Sequence, residues 1–427
     1  MWLVLSDLNQ KGSGYSRIMT ELCNRLVKDH DIQLIAMGLG YKGEEHYNEF
    51  RIVPCRHISH FYQQVVLMIR YNVPVMGVLV AADMPIQSAI LNALRQNGVN
   101  LPYVGFFPIE SAPIAQGWMP AILGMSDRIV MSEHAQAAIE DAGATAHFVP
   151  IGVSPEYKPE DDPEIIKGYR EAMGVADDEF MILTVADNQE RKNLSAAYEI
   201  VSKFSTNVLK RNRAGYVSEK EDLKKVKWIL VTRPDSPVGW DLNDLAMRYG
   251  IMDKVTVINR GIEDYQLLRL YQSADCFLLT SKAEGLAMPV LEAMATRTPV
   301  VATHVSAIAE HLGGFDEDEM RGHALNADYA FIDCFGNGQR YFVSVDDGVD
   351  VLDIVHGHWS DKRESAQNGK TVTDWEKPIL DNAQAYVNGR TWEKAAAQFA
   401  QIIKDNTPQQ VESPMPNEIE AEVAING

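Results

Sequence analysis

The 427-residue sequence has few cysteines, and their spacing does not suit a metal site. Its four cysteines are far apart and include no Cys-x-x-Cys pair: Cys23, Cys55, Cys276 and Cys334. Two of them, Cys23 and Cys276, lie within apolar periodic segments. This placement favours buried thiols in a reducing compartment over disulfides or metal ligands.

Long apolar runs are also missing. The longest, 73–82, is too short to span a bilayer and contains Pro74 and Gly77. The first six residues, Met-Trp-Leu-Val-Leu-Ser, lack the charged start of a signal peptide. We therefore expect a cytoplasmic protein without a transmembrane segment.

Positive charge is scarce, since 39 Lys and Arg stand against 59 Asp and Glu, a net charge of −20. Such a balance disfavours non-specific binding to polyanions. The segment 203–227 is an exception, with many Lys and Arg and few acids. A run of this kind is usually a solvated helix face, which is the interpretation we favour. The alternative is a patch for a polyanionic partner such as nucleic acid or anionic lipid.

The length and the alternation of patterns predict two α/β domains. A single core rarely grows beyond about 250–300 residues. Apolar strand patterns alternate with helical patterns, which predicts mostly parallel sheets covered on both faces. The predicted strands are 2–6, 32–37, 78–81, 103–107, 128–131, 147–150, 181–185, 228–232, 255–258, 276–280 and 300–303. The predicted helices are 14–29, 85–97, 113–125, 133–142, 194–209, 242–249, 265–273, one beginning near Pro289, and 391–403.

Three segments interrupt this alternation. Pro and Gly are frequent in 148–159, so we place the domain junction there, with a first domain 1–152 and a second domain 153–385. The stretch 313–377 is rich in Asp, Gly and His, and we predict a partly irregular insertion. The tail 407–427 is rich in Pro and Glu, and is predicted to be disordered.

Two acids, Glu284 and Glu292, bracket a small-residue loop between the predicted strands 276–280 and 300–303. One helix cannot hold both acids, because Gly285 weakens it and Pro289 is tolerated only in its first turn. The pattern therefore predicts strand, loop, helix and strand. Such a loop points backbone N–H groups and the positive end of a helix at phosphate, while carboxylates bind hydroxyls. A ligand with central phosphates and hydroxyl-rich ends fits, which describes a nucleotide-sugar.

The Glu-x7-Glu pattern, with Gly after the first Glu and Pro-x-x-Glu-Ala-Met at its end, resembles the retaining GT-B glycosyltransferases of group 1 (family 4-like). The flanking segments 274–281 and 298–303 also match, and the resemblance extends to about Lys404. It implies two Rossmann-like doubly wound parallel-sheet domains that face a central cleft. The first would lie on the acceptor side and the second would bind the nucleotide-sugar, with a helix at 386–406 crossing back to the first domain.

The resemblance also implies roles for residues in the second domain. Glu284 would contact hydroxyls of the transferred sugar, and Glu292 the ribose. The backbone N–H groups of a short loop would bind the diphosphate: Gly285, Leu286 and Ala287. Lys192 matches the family's phosphate-binding Lys, but Asp187 stands where the family has an Arg, so Arg191 is the candidate substitute. The turn that holds Arg260 and Gly261 would contact the nucleobase.

In the first domain, the loop before the first helix resembles the family's glycine loop over the donor phosphates, with Gly12, Gly14 and Arg17 as its candidate residues. Many members carry a His in the loop near 106–113, where this sequence has only Glu110 as an ionisable group. Glu110 is therefore the candidate for orienting the sugar or the acceptor. No Asp-x-Asp motif suits a metal-bound sugar-nucleotide, so we expect no metal and no other cofactor.

The expected function is therefore a retaining, metal-independent transfer of a sugar from a nucleotide-diphosphate sugar. The acceptor stays open among a glycan, a lipid, a small molecule and a modified nucleic acid, the polyanionic choice not being favoured. One alternative is a GT-B sugar-nucleotide epimerase or a phosphorylase. Another is a non-catalytic nucleotide-sugar-binding protein, which Asp187 and the missing His keep open.

Overall fold

The computed structural model describes residues 1–9, 13–316, 318–334, 336–369 and 373–408. The chain divides into two compact units. Unit 1 contains Met1–Gly152, Cys334–Gly338 and the chain from Arg390, and unit 2 contains Val153–Asp333 and Gln339–Gly389. Gly12 and most of the tail predicted to be disordered lie outside the described residues.

Unit 1 is built on a seven-stranded parallel sheet with the order β3-β2-β1-β4-β5-β6-β7. Its central strands are buried along their length, as expected when helices cover both faces. Its elements are β1 (Trp2–Asp7), α1 (Gly14–Lys28), β2 (Leu34–Leu39), β3 (Arg51–Cys55), α2 (Ile58–Arg70), β4 (Gly77–Ala81), α3 (Met84–Gln96), β5 (Tyr103–Phe106), α4 (Met119–Gly124), β6 (Asp127–Val130), α5 (Glu133–Asp141) and β7 (His147–Phe148).

Unit 2 is built on a six-stranded parallel sheet with the order β12-β11-β8-β13-β14-β15, and two antiparallel hairpins, β9–β10 and β16–β17, are added to it. Its elements are α6 (Pro163–Ala172), β8 (Phe180–Val185), α7 (Leu194–Ser205), β9 (Thr206–Arg211), β10 (Val217–Asp222), β11 (Val226–Thr232), α8 (Leu242–Tyr249), β12 (Val255–Asn259), α9 (Asp264–Ser273), β13 (Cys276–Leu279), α10 (Met288–Ala295), β14 (Val300–Thr303), α11 (Ser306–Leu312), β15 (His323–Leu325), β16 (Ala327–Ile332), β17 (Gln339–Val343), α12 (Val345–Asn368) and α13 (Glu376–Asn388).

The last helix, α14 (Trp392–Asp405), belongs to unit 1. Its N-cap Thr391 accepts a hydrogen bond from the backbone N–H of Lys394, which satisfies one of the open donors of the first turn. Its buried residues recur at helical spacing, and Phe399 meets Phe106 edge to face at 5.1 Å between ring centroids. This packing joins the helix to the core of the first sheet.

Several predicted elements need correction. The helix predicted over 194–209 ends at Ser205, and the basic segment beyond it is a β-hairpin rather than a helix face. The helix predicted over 113–125 is a short 3-10 turn at Gln116–Trp118 followed by α4. The segment 313–377, predicted to be irregular, contains the 24-residue helix α12. Elements β3, α2, α6 and α11 were not predicted at all.

The cysteine prediction is confirmed, because Cys23 and Cys276 are buried and have free thiols. Burial raises the pKa of Cys23 to about 12, which leaves the thiol protonated and unreactive at neutral pH. Cys55 is also buried, whereas Cys334 is exposed.

Candidate active site

The candidate site lies where unit 2 changes its direction of strand addition. From β8 the sheet continues to β11 on one side and to β13 on the other, so the carboxyl ends of β8 and β13 flank the switch point. In open parallel sheets, ligands bind beyond the carboxyl ends of the strands at this point. The loops that follow these two strands contain the residues singled out in the sequence.

The loop after β8 folds into a short 3-10 turn, Glu190–Lys192. Its backbone is fixed by hydrogen bonds from Lys192 N–H to the Gln189 carbonyl and from Lys282 N–H to the Arg191 carbonyl, both 2.9 Å. Asn193 then adopts a left-handed conformation (φ 51°) and starts α7. Asn tolerates this conformation better than most residues, so the turn can present two consecutive cations.

The loop after β13 leads into α10, which begins at Met288 with Pro289 in its first turn, as predicted. The loop is buried from Ser281 to Ala287, and Ala287 is left-handed with φ 59°. The Glu284 N–H donates to Ser306 Oγ at 2.8 Å, which anchors the start of the loop. The N-terminus of α10 therefore faces the same edge of the sheet as Glu284.

Glu284 joins the two loops. Its carboxylate accepts hydrogen bonds from Arg191 Nη1 at 2.6 Å, from Lys192 Nζ at 2.5 Å and from Ser281 Oγ at 2.6 Å. Burial opposes its ionisation, but the charges of Arg191 and Lys192 outweigh burial and lower the pKa of Glu284 to about 2. The three predicted residues therefore form one ionised cluster around the buried Glu284 carboxylate.

Glu292 has a different hydrogen-bond partner. It lies on α10, is 3% exposed and accepts a hydrogen bond from Tyr271 Oη of α9 at 2.8 Å. Tyr271 is fully buried and lies edge to face with Tyr157. This support by a rigid aromatic side chain fixes the orientation of the second carboxylate.

Asp187 stands where the resembled family has an Arg, and it pairs with two arginines. Arg233 Nε donates to its carboxylate at 2.7 Å, and Arg260 Nη1 at 3.2 Å. Burial opposes ionisation here too, but Arg233, Arg260 and Lys192 together lower the pKa of Asp187. The structure thus brings Arg260 into the cluster, where Gly261 continues the turn with φ 96°.

Sequence reasoning missed Arg233 and His311. Arg233 follows β11 directly, so its place beyond a strand neighbouring β8 was the available signal. His311 is fully buried on α11, donates from Nε2 to the Leu286 carbonyl at 2.5 Å and meets Tyr386 Oη at 3.0 Å through Nδ1. The contact of His311 with Leu286 fixes the backbone of the loop between Glu284 and α10. No local sequence pattern predicts it.

The candidate residues of unit 1 also lie at a carboxyl edge. Gly14 is the first residue of α1, Arg17 follows on the same helix, and Glu110 lies in the loop after β5. Tyr15 donates to Asp83 Oδ1 at 3.2 Å. Burial raises the pKa of Tyr15, and the charges of Asp83 and Glu110 raise it further. Tyr15, Asp83 and Glu110 therefore lie close enough to interact electrostatically.

The described residues offer neither a metal cluster nor a membrane-spanning helix. That part of the chain contains no group of three or more His, Cys, Asp and Glu side chains arranged to hold a metal ion. Across the same residues, no helix combines the length and apolar character needed to cross a bilayer.

Comparison with known proteins points in one direction. Residues 166–316 match the model of the glycosyl transferases group 1. An uncharacterized glycosyltransferase of Methanocaldococcus jannaschii is 29% identical over 143 residues, covering 33% of this chain and 32% of that protein. The alpha-monoglucosyldiacylglycerol synthase of Streptococcus pneumoniae is 31% identical over 145 residues, covering 34% and 29%. The chain thus spans about a third of the length of these relatives.

The solved structures match over nearly the whole length. The Anabaena protein Alr3699/HepE in complex with UDP and glucose superposes with a TM-score of 0.67 at 15% identity, covering 95% of this chain and 99% of that one. At this identity the match shows the fold, and together with the two parallel sheets it confirms the predicted fold class. Residues 166–316 are therefore similar to the glycosyl transferases group 1, and the chain has a GT-B fold.

Proposed function

We propose that this protein is a retaining glycosyltransferase that takes a sugar from a nucleotide-diphosphate sugar. One observation carries the proposal: the Glu284 carboxylate is held between Arg191 and Lys192 at the switch point of the sheet. A carboxylate fixed in this way suits the hydroxyls of a sugar, and the two cations beside it suit the diphosphate that leaves.

The charges support this assignment. Breaking the bond between sugar and diphosphate builds negative charge on the diphosphate, so preorganised cations act where charge develops. The described cluster contains four cations, Arg191, Lys192, Arg233 and Arg260, against the carboxylates of Glu284 and Asp187. The surplus is positive although the whole chain is acidic. The resembled family has an Arg where this chain has Asp187. Arg233 and Arg260 are candidates to supply the positive charge that is missing there.

The remaining roles complete the donor site. Glu292 would bind the ribose hydroxyls, and the N–H groups of 285–287 at the start of α10 would bind the diphosphate. Because cations and a helix N-terminus supply the positive charge, the proposed reaction needs no metal. The roles expected for Glu110, Gly14 and Arg17, the cytoplasmic location and the acceptor stay predictions. The Anabaena protein was solved with UDP and glucose, so UDP-glucose is the first donor to test.

Calorimetric titration with UDP tests the donor site. We expect Lys192→Ala and Glu292→Ala each to lose about 1.5–3 kcal/mol of binding free energy, roughly 10- to 150-fold in Kd, because each loses a charged hydrogen bond to ligand. Lys225→Ala is the matched control, since this exposed lysine pairs with Asp178 in the same unit. Unchanged affinity in both site variants would remove the assignment.

Turnover separates the proposal from its alternatives. A donor screen should be read out as released nucleotide diphosphate, with acceptor pools and with excess chelator present. We expect release that survives the chelator, and a product that keeps the anomeric configuration of the donor. Binding without turnover for every donor would favour a non-catalytic nucleotide-sugar-binding protein, and full loss with chelator, restored by magnesium, would exclude metal independence.

A further inference from the structure

Lys282 is a buried cation that lies close to the proposed donor site but has no role in it so far. It lies two residues before Glu284, and its side chain is 4% exposed. Its Nζ forms an ion pair with Glu190 and lies 4.3 Å from the ring centroid of Phe342 and 5.5 Å from that of Phe331. A charged ammonium is costly to bury, so this set of partners must compensate it.

The rings that cover Lys282 belong to the added hairpin β16–β17. Tyr341 N–H of this hairpin donates to the Lys282 carbonyl at 3.1 Å. Arg340, which is 6% exposed, pairs with Asp333 at 3.0 Å and approaches Glu190 Oε2 to 3.8 Å. Glu190 is therefore faced by two cations, one from the loop after β13 and one from the hairpin.

Glu190 needs such neutralisation because of its position. It begins the 3-10 turn whose next two residues are Arg191 and Lys192. Its side chain is 57% exposed, so it can turn toward other partners in solution. Without Lys282, this carboxylate would compete with phosphate for the two cations beside it.

We propose that Lys282, supported by Arg340 of the hairpin, is a positioning residue that draws Glu190 away from Arg191 and Lys192, so that Glu190 does not compete with the donor diphosphate for these two cations. This inference rests on the proposed function. If Lys282 acts in this way, the hairpin β16–β17 supports donor binding without contacting the ligand.

Calorimetry with UDP on three variants tests the inference. Lys282→Met keeps most of the length of the side chain and its apolar contact with the rings, so the fold should survive. We expect it to bind UDP about tenfold more weakly, because Glu190 is released toward Arg191 and Lys192. Glu190→Gln should bind at least as tightly as the wild type. The double variant Lys282→Met/Glu190→Gln should recover to within about threefold of the wild type, as expected for coupled residues.

The control is Lys225→Met, which removes an exposed lysine of the same unit that pairs with Asp178. A double variant as weak as Lys282→Met would overturn the inference, because Lys282 would then act through packing alone. Wild-type affinity in Lys282→Met would overturn it as well, while leaving the proposed function intact. A wild-type protein that binds neither UDP nor another nucleoside diphosphate would overturn both.

Discussion

At the scale of single residues, the low pKa of Glu284 links the site to stability. A free Glu has a pKa of about 4.3, whereas Glu284 has a pKa of about 2 in the folded protein. Its folded-state pKa is lowered, so its contribution is present above about pH 4.3 and is lost as the pH falls toward 2.

We therefore expect Glu284→Gln to lower the free energy of unfolding at pH 7 by about 3 kcal/mol, because Arg191 and Lys192 lose their carboxylate. The difference from the wild type should shrink as the pH falls from 5 toward 3. Urea unfolding across this range measures it, and Glu140→Gln, at an exposed helix position, is the control. A difference that does not change with pH would show that the charge of Glu284 contributes little.

The sequence predicted some of these residues and not others, for a physical reason. Glu284, Arg191 and Lys192 follow neighbouring strands of one parallel sheet, so their convergence follows from the strand pattern and the resemblance. The pairing of Asp187 with Arg233 and the contact of His311 with Leu286 depend on side chains from distant segments. Such contacts are fixed by packing in three dimensions, and no local spacing contains them.

At the scale of elements, strong periodicity was predictive and mixed composition was not. The strands β8, β11 and β13 are mostly apolar, and their bounds differ from prediction by a residue or two. The hairpin β9–β10 escaped prediction because its charged, exposed residues resemble a helix face. Helix α12 contains Gly348, Gly357 and many acids, so its composition resembled a loop, although Leu352 and Val355 are buried at helical spacing.

The backbone is strained at the start of α10, and a substitution can test this strain. Ala287 has φ 59°, a conformation that costs an ordinary residue about 1–2 kcal/mol, while Gly costs about 0.4–1 kcal/mol in unfolded-state entropy. We expect Ala287→Gly to raise the free energy of unfolding by about 0.5–1 kcal/mol. Guanidinium unfolding measures the change.

Gly250→Ala is the matched control, and we expect it to change stability in the opposite direction. Gly250 ends α8 with φ 71°, and a Cβ there would lie 2.8 Å from Val217 Cγ1. Gly250→Ala should therefore destabilise the protein by more than about 1 kcal/mol. A loss of stability in Ala287→Gly would mean that the methyl group of Ala287 packs favourably enough to outweigh the backbone strain.

At the scale of the whole molecule, the net charge of −20 and the cluster of cations in unit 2 must be reconciled. The basic segment 203–227 suggested a second positive surface, but the structure gives many of its cations acidic partners. Lys220 pairs with Asp253 at 2.7 Å, Lys224 with Asp353 at 2.8 Å, and Lys225 with Asp178. Because the partners come from other elements, the local sequence overstated the positive charge of this surface.

The last prediction follows from that neutralisation. We expect no measurable binding of a short DNA duplex or single strand at physiological salt, and a Kd weaker than about 100 μM even at low salt, because non-specific binding depends on unpaired cations. Fluorescence anisotropy measures this. Replacing the three acids, as Asp178→Asn/Asp253→Asn/Asp353→Asn, frees three lysines and should strengthen binding. Tight wild-type binding that falls steeply with salt would instead identify the hairpin β9–β10 as a polyanion surface and reopen a nucleic-acid acceptor.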